Sequence, residues 1–573
     1  MVISKQKAKS QLARWAAIDP SRGSISDYIK SCRDKVFVPT KFFARGKRTV
    51  IIGAGVAGLT SAYELLNNDI GCSCVILEAN NRIGGRSFTV RPGNVICEDK
   101  FYPQICCFEN EPNQPYPPYL NAGPGRIPSS HKLLLRYMKQ FNVPMEVYVM
   151  ASDSNLTYLQ DRFENQSVPN RQLAYNMQGW VAQTLYQILA NQNIPPLSSE
   201  DIEKFQQFLR VFGQLNQEGM YEDGNRAGYE CLPGVYPGQP VSPLPLKELL
   251  QSEFWSKTLF YQLLSFLWQP TLFQPVGGMD KIVYAFKEQV ESKGGEIRLN
   301  AVVDRIEYDS SSGKYRISYT QGGASQTIFA DYCLSNVPIP LLKGVLQDNH
   351  FTPRFKGALQ AVYQAQKKGV IDPDGYRRKF LANTTKVGWQ AERRLWQEAE
   401  GPGAVPIYGG ISWSSDEINQ IWYPSEEYHA DLGVLTGAYN FRAVAKKWGD
   451  ASPQKRLDRA RAGARNLGGN EFADGLKHGL AIAWQNISHQ KGGWAQWSTV
   501  EDKETHFNTL VKGDQNFYIV GDQLSNLTGW QEGAVASALN AVCQLADPVY
   551  RVPDIDVLPD TRLTVEGAFW AVL

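Results

Sequence analysis

The sequence contains no long hydrophobic run. No stretch of about eighteen consecutive apolar residues occurs in the 573-residue chain, so a transmembrane helix is not expected. The polar segment at residues 1–14 also lacks the apolar core of a secretory signal peptide. These two absences favour a cytoplasmic protein that does not span a membrane.

The sequence is also poor in patterns that bind metals or form disulfide frameworks. Its six histidines include no H-x-H or H-E-x-x-H spacing, so a metal site is not expected. Its nine cysteines include no C-x-x-C pair, and their odd number is typical of thiols in a reducing compartment. The adjacent Cys106 and Cys107 are expected to be free thiols as well.

The chain carries little net charge. A formal charge of +2 at pH 7 gives no sign of the concentrated basic face that binds nucleic acid. The length exceeds what one hydrophobic core normally supports, so two to four domains are expected. Composition therefore favours a multidomain globular protein that acts on small molecules.

One stretch near the start of the chain carries a dinucleotide-binding pattern. The β-branched run Thr-Val-Ile-Ile at 49–52 is typical of a buried parallel strand, and G-A-G-V-A-G follows it at 53–58. The first glycine permits a tight turn, the second lets the backbone approach a pyrophosphate, and the third lets the next helix close on the strand. The free N–H groups at that helix N-terminus suit phosphate. The predicted contacts are Gly53, Gly55, Val56, Ala57 and Gly58.

An acidic residue and a second motif extend this pattern. A second strand at 74–77 ends at Glu78, twenty residues past Gly58, where a carboxylate would accept a hydrogen bond from a ribose 2′-OH. Residues 78–86 then read E-x-x-x-R-x-G-G-R, and their two arginines and paired glycines can lie along a pyrophosphate. The predicted contacts here are Glu78, Ala79, Arg82, Gly85 and Arg86.

This extended fingerprint resembles that of the flavin amine oxidase family, and the resemblance covers residues 47–545. It implies that the cofactor is FAD. It also implies a backbone contact from Val303 to the adenine and a contact from Asp522, which ends the last flavin strand where the family usually has glutamate. The helix after G-W-x-x-G-A would point its N-terminus at the flavin, with Trp530, Ala534 and Val535 beside the cofactor.

A second site is predicted at 123–126, which reads Gly-Pro-Gly-Arg. Gly123, Pro124 and Gly125 exclude regular structure, let the backbone lie close to a ring, and hold Arg126 at a fixed point. The stretch is similar to the G-P-x-R-x-P motif of L-amino acid oxidases, in which the arginine binds the substrate carboxylate. A planar guanidinium suits that role because it binds a carboxylate through two hydrogen bonds. The alternative is an arginine in a surface loop.

The resemblance also implies the remaining catalytic residues. Lys386 stands ten residues before Trp396, the spacing at which the family places a lysine that holds a water beside the flavin. Tyr423, in an aromatic-aromatic-proline segment, would share the carboxylate, with its neighbour Trp422 as the alternative occupant. In L-amino acid oxidases the glycine that matches Gly529 receives the substrate amine through its carbonyl, and the tryptophan that matches Trp530 forms a wall of the cavity.

The sequence therefore predicts a combined α/β and α+β fold. A doubly wound, Rossmann-like FAD-binding domain would be accompanied by a substrate domain of mixed or antiparallel sheet and a helical insertion. The expected boundaries are an N-terminal arm at 1–44, an FAD domain at 45–125, 270–345 and 480–550, an insertion at 126–269, a substrate domain at 346–479 and a tail at 551–573.

The expected function is oxidative deamination of an L-amino acid by FAD and O2, giving a 2-oxo acid, ammonia and hydrogen peroxide. The nearest alternative is an L-amino acid 2-monooxygenase, which decarboxylates the intermediate to an amide. Monoamine or polyamine oxidation and a non-catalytic flavin-binding role are further alternatives. A homo-oligomer is expected, with a dimer favoured.

The sequence predicts that FAD is bound without a covalent link. Trp494 occupies the register at which monoamine oxidases carry the cysteine that is joined to the flavin, and tryptophan offers no thiol. Acid or heat should therefore release intact FAD from the purified yellow protein, as measured by absorbance of the supernatant after precipitation. Yellow colour that stays with the denatured polypeptide would contradict this prediction.

Overall fold

The computed structural model describes residues 44–67, 70–112, 114–191, 197–222, 224–347, 349–398, 403–547, 550, 552 and 554. The predicted N-terminal arm lies outside the described residues except for Ala44, and the predicted C-terminal tail does so except for Val552 and Asp554. Within the described residues, no helix is both long and apolar enough to cross a membrane.

A five-stranded parallel sheet carries the glycine-rich stretch. Numbered along the chain, its strands are β1 (Arg48–Ile52), β2 (Ser73–Leu77), β14 (Glu296–Arg298), β18 (Tyr332–Ser335) and β26 (Phe517–Ile519). Their order across the sheet is β14-β2-β1-β18-β26, and all neighbouring strands are parallel. The continuous apolar run in β1 suits a strand that is buried on both faces. Widely separated parts of the sequence thus build this sheet.

The helices are numbered along the chain in the same way. They are α1 (Val56–Leu65), α2 (Lys132–Gln140), α3 (Asn170–Asn191), α4 (Ser199–Gly213), α5 (Leu246–Ser252), α6 (Phe254–Lys257), α7 (Lys281–Ser292), α8 (Ile339–Leu342), α9 (Pro353–Lys368), α10 (Arg442–Gly449), α11 (Pro453–Asp474), α12 (Lys503–Val511) and α13 (Gln531–Ala546).

A seven-stranded mixed sheet forms the second large layer. Its strands are β9 (Leu156–Tyr158), β10 (Val168–Pro169), β21 (Thr384–Ala391), β22 (Ile411–Ser414), β23 (Gln420–Trp422), β24 (Gly433–Phe441) and β25 (Leu476–Ala483). They are arranged as β10-β9-β22-β23-β24-β21-β25. All pairs are antiparallel except β22 with β9. Every residue of β21 is buried, and β24 and β25 pair with it on either side, so it is an inner strand of this sheet.

The remaining strands form small sheets around these two layers. They are β3 (Thr89–Val90), β4 (Val95–Ile96), β5 (Gln104–Ile105), β6 (Leu120–Asn121), β7 (Ile127–Pro128), β8 (Met145–Tyr148), β11 (Tyr229–Cys231), β12 (Gln239–Pro240), β13 (Leu272–Pro275), β15 (Val302–Asp309), β16 (Lys314–Gln321), β17 (Ala324–Ala330), β19 (Val370–Ile371) and β20 (Arg377–Arg378). The strands β7, β13 and β8 form one three-stranded sheet, and β15 to β17 form another.

Both faces of the parallel sheet are covered, as a doubly wound fold requires. On one face Ile51 and Ile76 pack in a core shared with α1, α7 and α13. On the other face Val50 and Leu77 pack in a core shared with β15 to β17, α9 and α12. Successive strand residues alternate between these cores because side chains alternate across a strand. The predicted fold class is confirmed, whereas the exact domain boundaries stay a prediction.

A buried ion pair joins two distant parts of the chain. The Glu98 carboxylate accepts hydrogen bonds from the Arg456 guanidinium at 2.5 and 2.8 Å, and both side chains are fully buried. The same carboxylate accepts the Ala483 N–H and the Asn486 side-chain amide, each at 2.9 Å. Glu98 follows β4, whereas Arg456 belongs to α11. The pair therefore fixes the chain after β4 against the seven-stranded sheet and its helix.

Removing this carboxylate should be costly. Glu98→Ala leaves the Arg456 guanidinium buried without its counter-ion, so we expect the free energy of unfolding in urea to fall by about 3–5 kcal/mol. Glu200→Ala, which removes a solvent-exposed pair with Lys204 in α4, is the matched control and should change stability little. Equal stability of the two variants would show that the buried pair does not hold these segments together.

Candidate active site

A central cavity lies between the parallel sheet and the seven-stranded sheet, with an empty volume of about 990 Å³. It collects most of the residues that the sequence predicts for the site. Those that line it are Gly53, Gly55, Val56, Ala57, Glu78, Gly85, Arg86, Gly123, Pro124, Gly125, Arg126, Lys386, Asp522, Gly529, Trp530 and Ala534. The predicted residues outside its lining are Gly58, Ala79, Arg82, Val303, Tyr423 and Val535.

The glycine turn between β1 and α1 leaves no room for side chains. Gly53 has φ +98° and donates its N–H to the Leu77 carbonyl at 2.8 Å. A Cβ at Gly58 would lie 2.1 Å from the Gly53 carbonyl oxygen, so α1 can close on the strand only with glycine there. A Cβ at Gly55 would lie 2.5 Å from Asn336 Nδ2, and both residues line the cavity. The N-terminus of α1 thus faces the cavity with bare backbone, which suits an anion.

Glu78 closes β2 at the rim of this turn. Its Oε2 accepts the Ala54 N–H at 2.8 Å, and its Oε1 accepts the Asn80 N–H and side-chain amide at 2.9 and 2.7 Å. These bonds fix the carboxylate beside the glycine turn while it still lines the cavity. Its position therefore suits a ribose hydroxyl, as the sequence predicts.

The two arginines of the E-x-x-x-R-x-G-G-R motif have different environments. Arg82 donates to the Gly85 carbonyl at 2.9 Å and lies over the Phe88 ring, so it supports the loop from behind. Burial lowers the pKa of Arg82 to about 10. Arg86 lines the cavity and forms an ion pair with Asp522. Of these two arginines, only Arg86 is thus placed to contact a ligand in the cavity.

Asp522 also fixes the entrance to α13. Its Oδ2 accepts the Gly529 N–H at 2.6 Å, one residue before Trp530, which is the N-cap of the helix. Ala534 lines the cavity, but its neighbour Val535 is fully buried in the core between α13 and the parallel sheet. Adjacent residues near the start of α13 thus have different surroundings, because successive residues of a helix point about 100° apart.

Gly123 is fixed by an unusually close backbone approach. A Cβ there would lie 1.8 Å from the Arg86 carbonyl oxygen, so no other residue fits without a backbone shift. The buried Lys386 ammonium donates to the Gly123 carbonyl at 2.6 Å and to the Asn121 carbonyl at 3.0 Å. Lys386 belongs to β21. An inner strand of the mixed sheet is thus tied to the Gly-Pro-Gly loop by the same lysine that the sequence predicts for catalysis.

Arg126 is buried among three indole rings. Its guanidinium carbon lies 4.0 Å from the ring centroid of Trp268, 4.9 Å from that of Trp530 and 5.2 Å from that of Trp422. Cation–π contacts of this kind are strongest in desolvated settings. The three rings therefore surround the positive charge where it lines the cavity.

The structure corrects the prediction for Tyr423. This side chain is buried on the other side of the strand, where its hydroxyl accepts a hydrogen bond from Ser412 Oγ at 3.1 Å. Burial raises the pKa of Tyr423 to about 12. Trp422, the alternative occupant, lines the cavity instead. The physical reason is that adjacent residues of an extended strand point to opposite faces.

Val303 and Ala79 are further predicted residues outside the lining. Val303 lies in β15 and packs at the edge of the core on the far side of the parallel sheet. Ala79 follows Glu78, whose carbonyl accepts the Ala301 N–H at 2.9 Å. The predicted backbone contact of Val303 with an adenine stays a prediction. Within the described residues, no cluster of three histidine, cysteine or acidic side chains could hold a metal ion.

Three residues of the site are not predicted from the sequence: two of them line the cavity, and the third contacts Arg126. Tyr439 lies under the Lys386 ammonium at 4.7 Å, and the Trp484 indole N–H donates to the Ala122 carbonyl at 2.9 Å. Trp268 reaches Arg126 from the helical insertion. Tyr439 could not be predicted from the position of Lys386, because a single sequence does not show that β21 pairs with β24. For the two tryptophans, the available signal was the high tryptophan content of the sequence.

The cavity fits a dinucleotide with a flat ring system. Its lining combines bare backbone at α1, the Glu78 carboxylate and the Arg86 side chain with the Gly-Pro-Gly loop and Trp494. Comparison with known sequences agrees. The sequence model described as flavin containing amine oxidoreductase matches residues 56–546. The chain belongs to this family. Its cofactor is FAD.

Individual members of the family are distant relatives. The chain is 24% identical over 528 residues to YobN of Bacillus subtilis (strain 168), whose name describes it as a candidate L-amino-acid oxidase, covering 88% of this chain and 95% of the relative. An L-amino-acid oxidase of Mus musculus is 23% identical, with coverages of 88% and 71%. An L-amino acid oxidase of Bothrops pictus is 22% identical, with coverages of 86% and 89%.

Solved structures share the fold. Putrescine oxidase bound to putrescine has a TM-score of 0.52 at 15% identity, covering 88% of this chain and 99% of its own. Cyclohexylamine oxidase from Brevibacterium oxydans IH-35A has a TM-score of 0.50 at 17% identity, covering 88% and 100%. These similarities show the architecture of a flavin-dependent amine oxidoreductase and leave the substrate of this family member open.

The glycine turn provides a direct test of cofactor binding. Gly55→Val should abolish FAD binding, because a side chain at this position meets Asn336 in the cavity lining and blocks the approach of a pyrophosphate. The flavin-to-protein absorbance ratio of the purified variant measures the effect. Gly357→Ala, in open space on the exposed side of α9 and without a positive φ, is the control and should retain flavin. A fully flavinated Gly55→Val protein would contradict the assignment.

Proposed function

We propose that this flavin amine oxidoreductase oxidises the Cα–N bond of an L-amino acid, yielding a 2-oxo acid, ammonia and hydrogen peroxide. The observation that carries the proposal is the buried Arg126 guanidinium at the cavity, enclosed by Trp268, Trp422 and Trp530. A planar cation that is held by aromatic faces can offer its edge to a carboxylate.

The charges along the cavity support an anionic substrate group. Its charged lining consists of Glu78, Arg86, Arg126, Lys386 and Asp522. Glu78 is committed to the glycine turn, and Asp522 is paired with Arg86. The two other charged residues of the lining, Arg126 and Lys386, are both cationic. A diamine would bring a second cation into this field, whereas an amino acid brings a carboxylate that complements it.

The residues of the chain have separate roles in this proposal. Arg126 binds the carboxylate and thereby fixes the orientation of Cα, a positioning contribution that can supply much of the rate enhancement. The Gly529 carbonyl accepts a hydrogen bond from the substrate amine, and Trp422 and Trp530 form walls that exclude water. Lys386 holds a water at the reacting end. FAD supplies the acceptor for the two electrons removed from the substrate.

The overall reaction balances with O2 and water as the other reactants. Loss of two electrons and two protons from the amino acid gives an imino acid, which water hydrolyses to the 2-oxo acid and ammonia. O2 takes up the two electrons and two protons to give hydrogen peroxide. A screen of L-amino acids for peroxide, with the carbon product identified, tests this proposal and separates it from amide formation by a 2-monooxygenase.

The sharpest test concerns Arg126. Arg126→Ala should retain FAD while the second-order rate of anaerobic flavin reduction falls by about two to three orders of magnitude, which corresponds to roughly 3–4 kcal/mol from a charge-assisted pair. Arg126→Lys should recover only part of the rate, because an ammonium cannot reproduce the two-pronged contact. Stopped-flow absorbance of the flavin measures these rates.

Tyr423→Phe is the matched control for this series. Its hydroxyl contacts Ser412 outside the cavity, so the reduction rate should change by less than about threefold. The same contact can be removed from the substrate. In the wild-type enzyme, the parent amine without the carboxylate should reduce the flavin about as slowly as the amino acid reduces it in Arg126→Ala. If the parent amine and its amino acid reduced the flavin equally fast, the amino acid assignment would be wrong and an amine oxidase would replace it.

A further inference from the structure

A buried glutamine of the mixed sheet holds one of the three indole rings around Arg126. Gln420 begins β23 and is fully buried, and Trp422 ends the same three-residue strand. Side chains two positions apart in a strand point to the same face of a sheet, which here is the face that Trp422 presents to the cavity. The Trp422 indole N–H donates to Gln420 Oε1 at 2.8 Å. This hydrogen bond sets the direction of the indole N–H.

The other half of the Gln420 amide binds the neighbouring strand. Its Nε2 donates to the Tyr439 carbonyl of β24 at 3.1 Å. An indole N–H can only donate and a backbone carbonyl can only accept, so one orientation of the amide satisfies both groups. Because Gln420 is fully buried, a bond that is lost here is not replaced by a bond to bulk water. A single side chain thus fixes Trp422 relative to the backbone of β24.

The ring that Gln420 holds contacts both of the cations described above. The Trp422 ring centroid lies 5.2 Å from the Arg126 guanidinium carbon and 5.3 Å from Lys386 Nζ. A Cβ at Gly125, next to the arginine, would lie 3.2 Å from Trp422 Cζ3. The Tyr439 ring packs against the indole at a steep angle, with ring centroids 5.5 Å apart. A rotation of this indole would therefore change the surroundings of both cations.

The orientation of the Trp422 ring matters because an aromatic ring is not electrostatically uniform. Its face is negative and its edge is positive, so a cation is attracted over the face and repelled at the edge. Without Gln420, the buried indole N–H would lose its acceptor, and the ring would turn toward another one. Turning the ring displaces the guanidinium, and a displacement of about 1 Å at a positioning group can cost roughly 100-fold in rate.

We propose that Gln420 is a positioning residue for carboxylate recognition, because it orients Trp422 and, through that ring, sets the position of the Arg126 guanidinium. This inference rests on the proposed amino acid oxidase function, in which Arg126 binds the substrate carboxylate. Gln420 does not line the cavity, so it is not placed to touch substrate or cofactor. Its loss should therefore weaken carboxylate binding and leave FAD bound.

The first measurement uses benzoate, an unreactive carboxylate, as a probe on the full-length FAD-bound protein. The change that benzoate causes in the flavin absorbance gives its dissociation constant. Gln420→Leu should raise this constant about tenfold, as expected for the loss of one buried hydrogen bond. Gln420→Met, which keeps the length of the side chain, should raise it by the same factor.

Gln390→Leu is the matched control for these variants. Gln390 is another buried glutamine of the mixed sheet, and its amide makes two hydrogen bonds to the Glu109 backbone, at 2.7 and 2.8 Å. It does not line the cavity. Its replacement removes the same number of buried bonds at a place that does not touch Trp422, so the dissociation constant of benzoate should stay within about twofold of the wild-type value.

A double variant tests whether Gln420 acts through the indole. Trp422→Phe keeps an aromatic ring but has no N–H to donate to Gln420. In the Trp422→Phe protein, adding Gln420→Leu should change the dissociation constant of benzoate by less than about threefold, because residues that act as a unit are not additive. A further increase of threefold or more would show that Gln420 does not act through Trp422 and would overturn the proposal.

A second readout separates positioning from general damage to the fold. With the amino acid that gives the most peroxide, Gln420→Leu should slow anaerobic flavin reduction about tenfold. Reduction by the parent amine should slow less than about twofold, because the amine has no carboxylate to place. Equal slowing of both substrates would contradict the positioning role.

The same data distinguish this inference from the proposed function. If the wild type does not bind benzoate, or if Arg126→Ala binds it as tightly as the wild type, the proposed carboxylate site is itself wrong. If Arg126→Ala loses benzoate binding while Gln420→Leu and Gln420→Met keep it, only the role of Gln420 is wrong.

Discussion

The candidate site depends on the hydrogen bonds of Lys386, a buried lysine in an inner strand of the mixed sheet. Lys386 donates to the carbonyls of Asn121 and Gly123, which belong to the loop that delivers Arg126. Hydrogen bonds from a charged donor are stronger than neutral ones, and burial strengthens them further. Because β21 is buried and paired with both β24 and β25, a shift of the lysine backbone would disturb both neighbouring strands. The position of the arginine is thus set by a sheet to which it does not belong.

A second tie acts on the other side of the same loop. Glu532, in the first turn of α13, accepts the Leu133 and Leu134 N–H groups of α2 at 3.0 and 2.8 Å. Burial raises the pKa of this carboxyl to about 7, whereas the two backbone N–H groups favour its charged form. Two helix N-termini thus converge on one side chain. The arrangement brings Trp530 against His131, with ring centroids 5.0 Å apart.

The parts of the fold and of the candidate site that could be predicted are those whose sequence pattern lies within one short stretch of the chain. The run from Gly53 to Glu78 is a single strand–turn–helix–strand unit, so its spacing predicts both its fold and its place at the cavity. The choice between Trp422 and Tyr423 required the register of one strand, and a shift of one residue reverses every side chain. Trp268 could not be predicted, because it meets Arg126 across more than 140 positions of the chain.

The three indole rings around Arg126 come from three different parts of the chain. Trp530 is the N-cap of α13, Trp422 belongs to the mixed sheet, and Trp268 lies between α6 and β13. Each of these three parts of the chain therefore contributes one indole ring. The position of the guanidinium depends on the packing of all three rings. Trp422 and Trp268 also share a core with Met177 and Trp180 of α3. Helix α3 is thus part of the packing that positions the arginine.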